Sequence, residues 1–191
     1  MGGMPLQPRI VPIAEADLDT VAPLVNRAFG IYAHLFTGTR TSPADYRDEA
    51  GEDARVILIE DGGRLVATAM VAPADRFLAP ELHGPTGTNR EPVTAAPVDG
   101  AHPWAGAFYF GLAAVEPGLH RGGLGKLLVA TAERLARADG FRRMALSTIR
   151  EFGLVTYYER FGYWVVNEEV YPAGHWEFLN PHHYCEMVKD L

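Results

Sequence analysis

The sequence predicts an α/β fold, organised as one domain over residues 1–191. Strand-like apolar runs alternate with segments in which apolar residues recur at helical spacing. A hairpin signal in the first half adds an antiparallel pair of strands to this alternation. With 191 residues, of which 48% are hydrophobic and 21% charged, the chain can bury one sizeable core and is short for two domains.

The first fifty residues predict one strand and two helices. Arg9 to Ile13 is typical of a short opening strand, and the apolar residues that follow at helical spacing are Leu18, Val21, Leu24, Val25, Ala28 and Phe29. Pro23 falls within this pattern, so we expect a late helix start or a kink near it. A second helix should begin after the capping residue Ser42, with Pro43 at its first position, and end near Gly51.

The middle of the chain predicts a β-hairpin followed by an insertion. Arg55–Glu60 and Arg64–Ala72 are strand-like, and Asp61-Gly62-Gly63 between them supplies the positive φ angles of a tight turn. Residues 73–106 then hold six prolines and four glycines, which indicates a long loop or insertion. We expect it to be partly ordered, because apolar anchors lie within it, namely Phe77, Leu78, Leu82 and Trp104.

The second half of the chain predicts a strand, a glycine-rich turn and a long helix. The strand covers Ala107 to Val115, and the amphipathic helix runs from Leu124 to Ala138 and ends at Gly140. The remaining expectations are a strand over Arg142–Ile149, a short helix over Glu151–Arg160, a strand over Gly162–Val166 and a last strand over Tyr184–Val188.

Composition narrows the classes of function. A net charge of -7 argues against nonspecific nucleic-acid binding and mildly favours a cationic substrate. No run of about 18 apolar residues predicts a membrane span, and the first residues lack the pattern of a signal peptide, so we expect a cytoplasmic protein. The one cysteine, Cys185, excludes an internal disulfide and should pack as a small hydrophobic residue in the last strand.

Metal binding is not predicted. His175, His182 and His183 are close in sequence, but no carboxylate or cysteine joins them at a familiar ligand spacing.

The glycine turn has the features of a phosphate-binding site. Glycines at 122, 123 and 125 let a ligand approach the backbone, and the free N–H groups of the following helix attract an anion. A Walker loop would need glycine at His120 and Ser or Thr at Leu127. A dinucleotide fingerprint would need a small residue at Leu128.

A third motif accounts for more of the chain. Val115-x-Pro117 followed by His120-Arg121-Gly122-Gly123-Leu124-Gly125 resembles motif A of the GNAT superfamily of N-acetyltransferases, Val-x-Pro-x-x-Arg/Gln-x-x-Gly-x-Gly/Ala. Residues 157–163, Tyr-Tyr-Glu-Arg-Phe-Gly-Tyr, resemble the end of motif B, Tyr-Glu-Lys-Leu-Gly-Phe. The resemblance implies a mixed, mostly antiparallel sheet with helices on both faces, whose fourth and fifth strands splay apart around acetyl-CoA.

The resemblance also implies roles for site residues. The backbone of the turn would hold the pyrophosphate, with added side-chain charge from Arg121 and Lys126. The turn residues concerned are Arg121, Gly122, Gly123, Leu124, Gly125 and Lys126. The backbone of Ala113, Ala114 and Val115 would pair with the pantetheine arm, and Tyr158 would protonate the leaving thiolate.

Three positions depart from the family pattern, and the general base is missing. His120 replaces Arg or Gln, while Glu151 and Leu154 stand where Asn and Ala are common. The strand segment Phe108–Leu112 carries no carboxylate, and Glu116 lies close to the turn. The other candidates are more typical of exposed loop residues: His34, Glu81, His83, Asp99 and His102.

These observations predict an N-acetyltransferase that moves an acetyl group from acetyl-CoA to a primary amine of a small molecule or peptide, by direct transfer in a ternary complex. The alternative is a non-catalytic acyl-CoA-binding sensor or interaction module. The acceptor pocket would be lined by residues 29–36, by the insertion and by Tyr171, His175 and Trp176. Core packing or a homodimer contact would explain these aromatic residues equally well.

Overall fold

The structure is a computed structural model that describes residues 6–78, 102–120 and 122–191. One seven-stranded sheet has the order β1-β2-β3-β4-β5-β7-β6. Its strands are β1 Arg9–Pro12, β2 Arg55–Asp61, β3 Arg64–Pro73, β4 Phe108–Val115, β5 Arg143–Ile149, β6 Trp164–Tyr171 and β7 His182–Asp190. Only β4 and β5 are parallel neighbours, which confirms the predicted mixed, mostly antiparallel sheet.

In the described parts of the chain, four α-helices cover the two faces of this sheet: α1 Leu18–Phe29, α2 Pro43–Ala50, α3 Leu124–Ala138 and α4 Val155–Glu159. On one face, Leu24 of α1 and Tyr46 of α2 are fully buried in a core with Met70. On the other face, Leu128 of α3 packs in a second core with Ile57. The sheet therefore separates two cores, as the predicted fold requires.

The local signals in the first half are mostly confirmed. The capping box at Ser42 pairs its hydroxyl with the N–H of Asp45, and the helix ends before Gly51, whose φ is 75°. Gly62 and Gly63 have φ angles of 58° and 79°, as the tight hairpin turn requires. The late start of the first helix is wrong, because α1 begins at Leu18 and includes Pro23.

The predicted insertion lies mostly outside the described residues, including Leu82. At its start, residues Ala74–Leu78 form a 3₁₀ helix, and near its end Trp104 is buried. The rings of Phe77 and Trp104 both pack on Tyr109, with centroid distances of 4.2 and 5.3 Å. Both ends of this segment are thus anchored on β4.

In the second half, the predicted helix over Glu151–Arg160 is too long. Residues Arg150–Phe152 form a 3₁₀ turn, and Gly153, with φ of 72°, separates it from α4. The strand predicted over Gly162–Val166 continues to Tyr171 as β6. Cys185 is fully buried in β7, and this burial raises the pKa of its thiol.

Two irregularities of β4 shape the centre of the sheet. β4 pairs with β5 only at Phe108 and Tyr109, so the two strands diverge beyond that point, which matches the splay that the family resemblance implies. On the side of β3, two residues, Leu112 and Ala113, lie opposite one, and Leu112 has a φ of 47°. This β-bulge includes Ala113 and bends the strand at the start of the segment Ala113–Val115.

Candidate active site

A cavity of about 420 Å³ lies beside the second half of β4, beyond the point where this strand stops pairing with β5. It lies between the end of α1, the second half of β4, the start of α3 and α4. Its lining includes most of the predicted site residues: Ala113, Ala114, Val115, Gly123, Leu124, Gly125, Lys126 and Tyr158. Gly122 is not part of the lining, and Arg121 lies outside the described residues.

The glycine turn presents the start of α3 to this cavity. Gly123 caps the helix with φ of 84°, and the first helical hydrogen bond runs from the Leu127 N–H to the Gly123 carbonyl. The N–H groups of Leu124, Gly125 and Lys126 precede that bond, so helix geometry leaves them for an external acceptor. Because α3 has 15 residues, its dipole adds a positive potential at this end. This arrangement can bind an anion.

Position 125 needs a glycine because the side chain of Tyr157 lies across it. A Cβ atom at this position would be 2.5 Å from the Tyr157 hydroxyl oxygen. Tyr157 also lines the cavity, and its burial raises the pKa of its phenol.

The outer part of β4 offers backbone groups to a ligand. Beyond Tyr109 its edge toward β5 has no paired residue, although both strands are fully described. A ligand with amide groups can bind such an edge as an added strand. Ala113, Ala114 and Val115 belong to this edge and line the cavity, and two of them have the smallest side chain that a strand can carry.

Tyr158 reaches the cavity from α4. It is 8% exposed and packs edge-to-face against Phe110, Tyr157 and Tyr163. Burial raises the pKa of its phenol, and the nearby phenols of Tyr157, Tyr109 and Tyr32 raise it further. The group is therefore protonated at neutral pH and can donate a proton, as its predicted role requires.

Glu116 is engaged in ion pairs. Its carboxylate oxygens lie 2.9 Å from Arg27 Nη2 and 3.1 Å from Arg64 Nη2. The hydrogen bond from Arg27, together with both positive charges, lowers the pKa of Glu116 despite some burial. A carboxylate held in this way joins α1 and β3 to the end of β4 and is a poor proton acceptor.

The three positions that depart from the family motifs have separate environments. His120 Nε2 lies 3.1 Å from the Val115 carbonyl oxygen and lines the cavity. Leu154 also lines it. The Glu151 carboxylate accepts a hydrogen bond from the backbone N–H of His183 at 3.1 Å and lies 2.8 Å from its Nδ1 atom. Glu151 therefore contacts β7 and not the cavity.

The other base candidates that the structure describes, His34 and His102, do not line the cavity. His34 is exposed, and Glu81, His83 and Asp99 lie outside the described residues. His102 lies 3.4 Å from Glu186 of β7, on the face of the sheet that α1 covers. Within the described parts of the chain, no group of three or more His, Cys, Asp or Glu side chains could hold a metal ion.

Aromatic residues join the loop after α1 to the segment between β6 and β7. Tyr32 stacks on Phe152 at 4.2 Å, and Phe36 pairs with Phe178 through a backbone bridge and a ring contact. Phe178 in turn stacks on His182 at 3.9 Å, beside Tyr171, His175 and Trp176. The two segments predicted as acceptor walls thus form one continuous aromatic layer. Sequence reasoning missed Phe152 and Phe178, for which no motif gave a signal.

Comparison with known proteins agrees with this geometry. The family model of the acetyltransferase (GNAT) family matches residues 25–163. No curated protein matches the chain in sequence, and none of the helices within the described residues is long and apolar enough to cross a membrane.

Solved structures share the fold. The ribosomal-protein-S18-alanine N-acetyltransferase of Escherichia coli superimposes with a TM-score of 0.62 at 14% identity, over 96% of this chain and 94% of that one. ElaA of Escherichia coli superimposes with a TM-score of 0.60 at 18% identity, over 96% of this chain and 99% of that one. An acyl-CoA N-acyltransferase of Pseudomonas aeruginosa superimposes with a TM-score of 0.60 at 19% identity, over 95% of this chain and 99% of that one. Since the family model covers most of the chain and includes the cavity's glycine turn and tyrosine, this protein is an enzyme of the acetyltransferase (GNAT) family.

Proposed function

We propose that this enzyme moves an acetyl group from acetyl-CoA to a primary amine of a small molecule or peptide, by direct transfer in a ternary complex. The observation that carries the proposal is the joint lining of one cavity by an anion-binding helix start, an open strand edge and a protonated tyrosine. Each of these parts fits a different portion of an acyl-CoA thioester.

The pyrophosphate fits the start of α3. The N–H groups of Leu124, Gly125 and Lys126 would donate to its oxygens, and the Lys126 side chain lines the same cavity. Gly122 would contribute less directly, since its own N–H donates to the Leu119 carbonyl at 3.2 Å. A further positive charge would come from the side chain of Arg121, whose role is inferred from the sequence motif only.

The pantetheine arm fits the open edge of β4. Its two amide groups would pair with backbone groups of Ala113–Val115, as an added strand does. The bulge at Leu112 and Ala113 interrupts the regular pairing of this strand with β3. The thioester would then lie near Tyr158. An amine bound on the α1 side would be held close to the thioester carbonyl, and this proximity favours its attack.

In the reaction, the nitrogen of the neutral amine forms a bond with the thioester carbonyl carbon, and the carbon–sulfur bond breaks. Tyr158 would give its proton to the departing thiolate. The low polarity around its ring keeps the phenol protonated until that step. Attack by the amine on acetyl-CoA itself needs no acylated side chain, and no cysteine lies in the cavity lining.

The test is release of free thiol from acetyl-CoA across a panel of aliphatic amines, amino acids and peptides with free N-termini. We expect at least one acceptor to give release well above the hydrolysis rate, with an acetylated product of the correct mass. Thermal stabilisation by acetyl-CoA without release for any member of a broad panel would support a non-catalytic acyl-CoA sensor instead.

A further inference from the structure

A row of polar side chains crosses the face of the sheet that α1 and α2 cover. It comprises Tyr109 of β4, Ser147 of β5, Glu186 of β7 and Asn167 of β6, and is called the polar row below. Ser147 and Asn167 are each directly opposite Glu186 in the strand register. Directly opposite residues point to the same face, so the three side chains are neighbours. The Tyr109 hydroxyl joins the row at 3.0 Å from Ser147 Oγ.

Two buried atoms of this row have no hydrogen-bond partner among the described residues. They are the Oε2 atom of Glu186, whose side chain is 3% exposed, and the Nδ2 atom of Asn167. Buried polar groups normally find a partner, and a buried carboxylate without one is costly. The Glu186 carboxylate fits a ligand group that brings a hydrogen-bond donor, whereas Asn167 Nδ2 is itself a donor.

Glu186 forms no ion pair with a lysine or arginine side chain within the described residues. Its ion-pair neighbour is His102, with Nε2 at 3.4 Å from Oε2. The Nδ1 atom of that ring accepts a hydrogen bond from the Trp104 N–H at 3.2 Å. Arg40, on the same side of the sheet, is held by both oxygens of Glu49 at 3.2 and 3.1 Å.

The row lies beside the gap between β4 and β5, although none of its four residues is part of the cavity lining. Tyr109 contacts Ser147 at one end, and its phenol also acts electrostatically on Tyr158. Ser147 is half-buried and lies just past the point where β4 and β5 diverge. An amine bound in the gap beyond Tyr109 would lie next to the Ser147 hydroxyl, and Glu186 is directly opposite Ser147.

We infer that the polar row is the binding site for the ammonium group of an aliphatic amine, and that Glu186 accepts the proton which this group must lose before transfer. This inference rests on the proposed function and deepens it. The carboxylate takes one proton from the ammonium, directly or through the Ser147 hydroxyl. The neutral nitrogen then bonds to the carbonyl carbon, and the sulfur leaves with the bonding electrons and takes the Tyr158 proton. A second proton from the nitrogen restores Tyr158, and Glu186 returns its proton to solvent.

The test uses Glu186→Gln in the full chain with an amine found by thiol release. We expect kcat/KM for the amine to fall more than 50-fold, while the Kd for acetyl-CoA by calorimetry stays within twofold. Glu186→Asp, which keeps a carboxylate, should retain at least five times the activity of Glu186→Gln. A smaller loss in Glu186→Gln, or equal losses in the two variants, overturns the inference.

The matched control is Glu168→Gln. This glutamate lies in the same pair of strands but on the opposite face, with Oε1 at 2.6 Å from Arg150 Nε, and its loss should leave kcat/KM within twofold. If Glu186→Gln does not fold, Ser147→Ala serves instead, with at least a fivefold fall expected and no change overturning the inference. An inactive wild type would refute the proposed function, whereas an active wild type with active variants refutes this inference alone.

Discussion

The hydroxyl of Tyr157 lies directly over Gly125, so that a Cβ atom added there would be 2.5 Å from its oxygen and 3.5 Å from the ring carbon that carries it. Gly125→Ala should therefore push Tyr157 or the start of α3 aside, although alanine suits a helix better than glycine. We expect the Kd for acetyl-CoA to rise at least tenfold. Adding Tyr157→Phe removes the overlapping oxygen and should recover most of the affinity in calorimetry. If the double variant binds no better than Gly125→Ala, the overlap is not the cause.

Tyr158→Phe tests the proposed proton donor. General acid catalysis contributes about 10² to 10⁴ in rate, so kcat should fall at least about 100-fold while the Kd for acetyl-CoA stays within twofold. Tyr163→Phe is the control, because Tyr163 is buried and packs on Tyr158 at 5.9 Å without lining the cavity. Comparable losses in both variants would indicate a packing effect.

The pH dependence of turnover should reflect the same group. Burial raises the pKa of Tyr158 above the ordinary value near 10. The phenol thus keeps its proton throughout the neutral and mildly alkaline range. We expect kcat to show no alkaline decline up to about pH 9.5, measured with an amine at saturation. A decline with a midpoint near pH 8 that disappears in Tyr158→Phe would contradict this protonation state.

Glu116 should affect stability in a pH-dependent way. Its pKa is lowered in the folded state, so its ion pairs with Arg27 and Arg64 stabilise the protein above the unfolded pKa, near 4.3. That contribution is lost as the pH falls through the lower, folded pKa. Because both arginines are about half-exposed or more, Glu116→Gln should cost only about 1 kcal/mol at pH 7. Urea unfolding at pH 7 and pH 3 should show the difference from wild type shrinking at the lower pH.

The capping box of α2 allows a simple test of local stability. Ser42→Ala removes the oxygen that accepts the Asp45 N–H at 3.1 Å and should cost about 1 kcal/mol. Ser42→Thr keeps an acceptor and should cost less. Chemical unfolding measures both, and equal costs would mean that the hydroxyl is not the stabilising group.

Local chemistry explains what the sequence could predict. Gly62 and Gly63 require their turn, Ser42 starts its helix, and the residues of motif A are contiguous enough to be recognised before their cavity is known. The predicted helix over Glu151–Arg160 is too long for a local reason as well. Gly153 lies inside the predicted range, and its left-handed φ of 72° interrupts the helix there.

The polar row could not be predicted because its members come from four strands. Glu186 has no motif around it, and its neighbours Ser147 and Asn167 are set by the register of β5, β7 and β6. Residues so far apart in sequence meet only through topology. The aromatic contact between Phe36 and Phe178 depends on the same long-range pairing.

The order β5-β7-β6 makes the edge strand β6 depend on β7 for its attachment to the rest of the sheet. The antiparallel pair of β6 and β7 can therefore open or dock as one cooperative unit. Its opening would separate Glu186 and Asn167 from Ser147 and Tyr109 while leaving β4 and α3 in place. If Glu186 belongs to the acceptor site as inferred above, a protein in that state would keep the cavity beside β4 and α3 but lose half of the polar row. Binding of acyl-CoA and binding of the amine would then depend on different parts of one sheet.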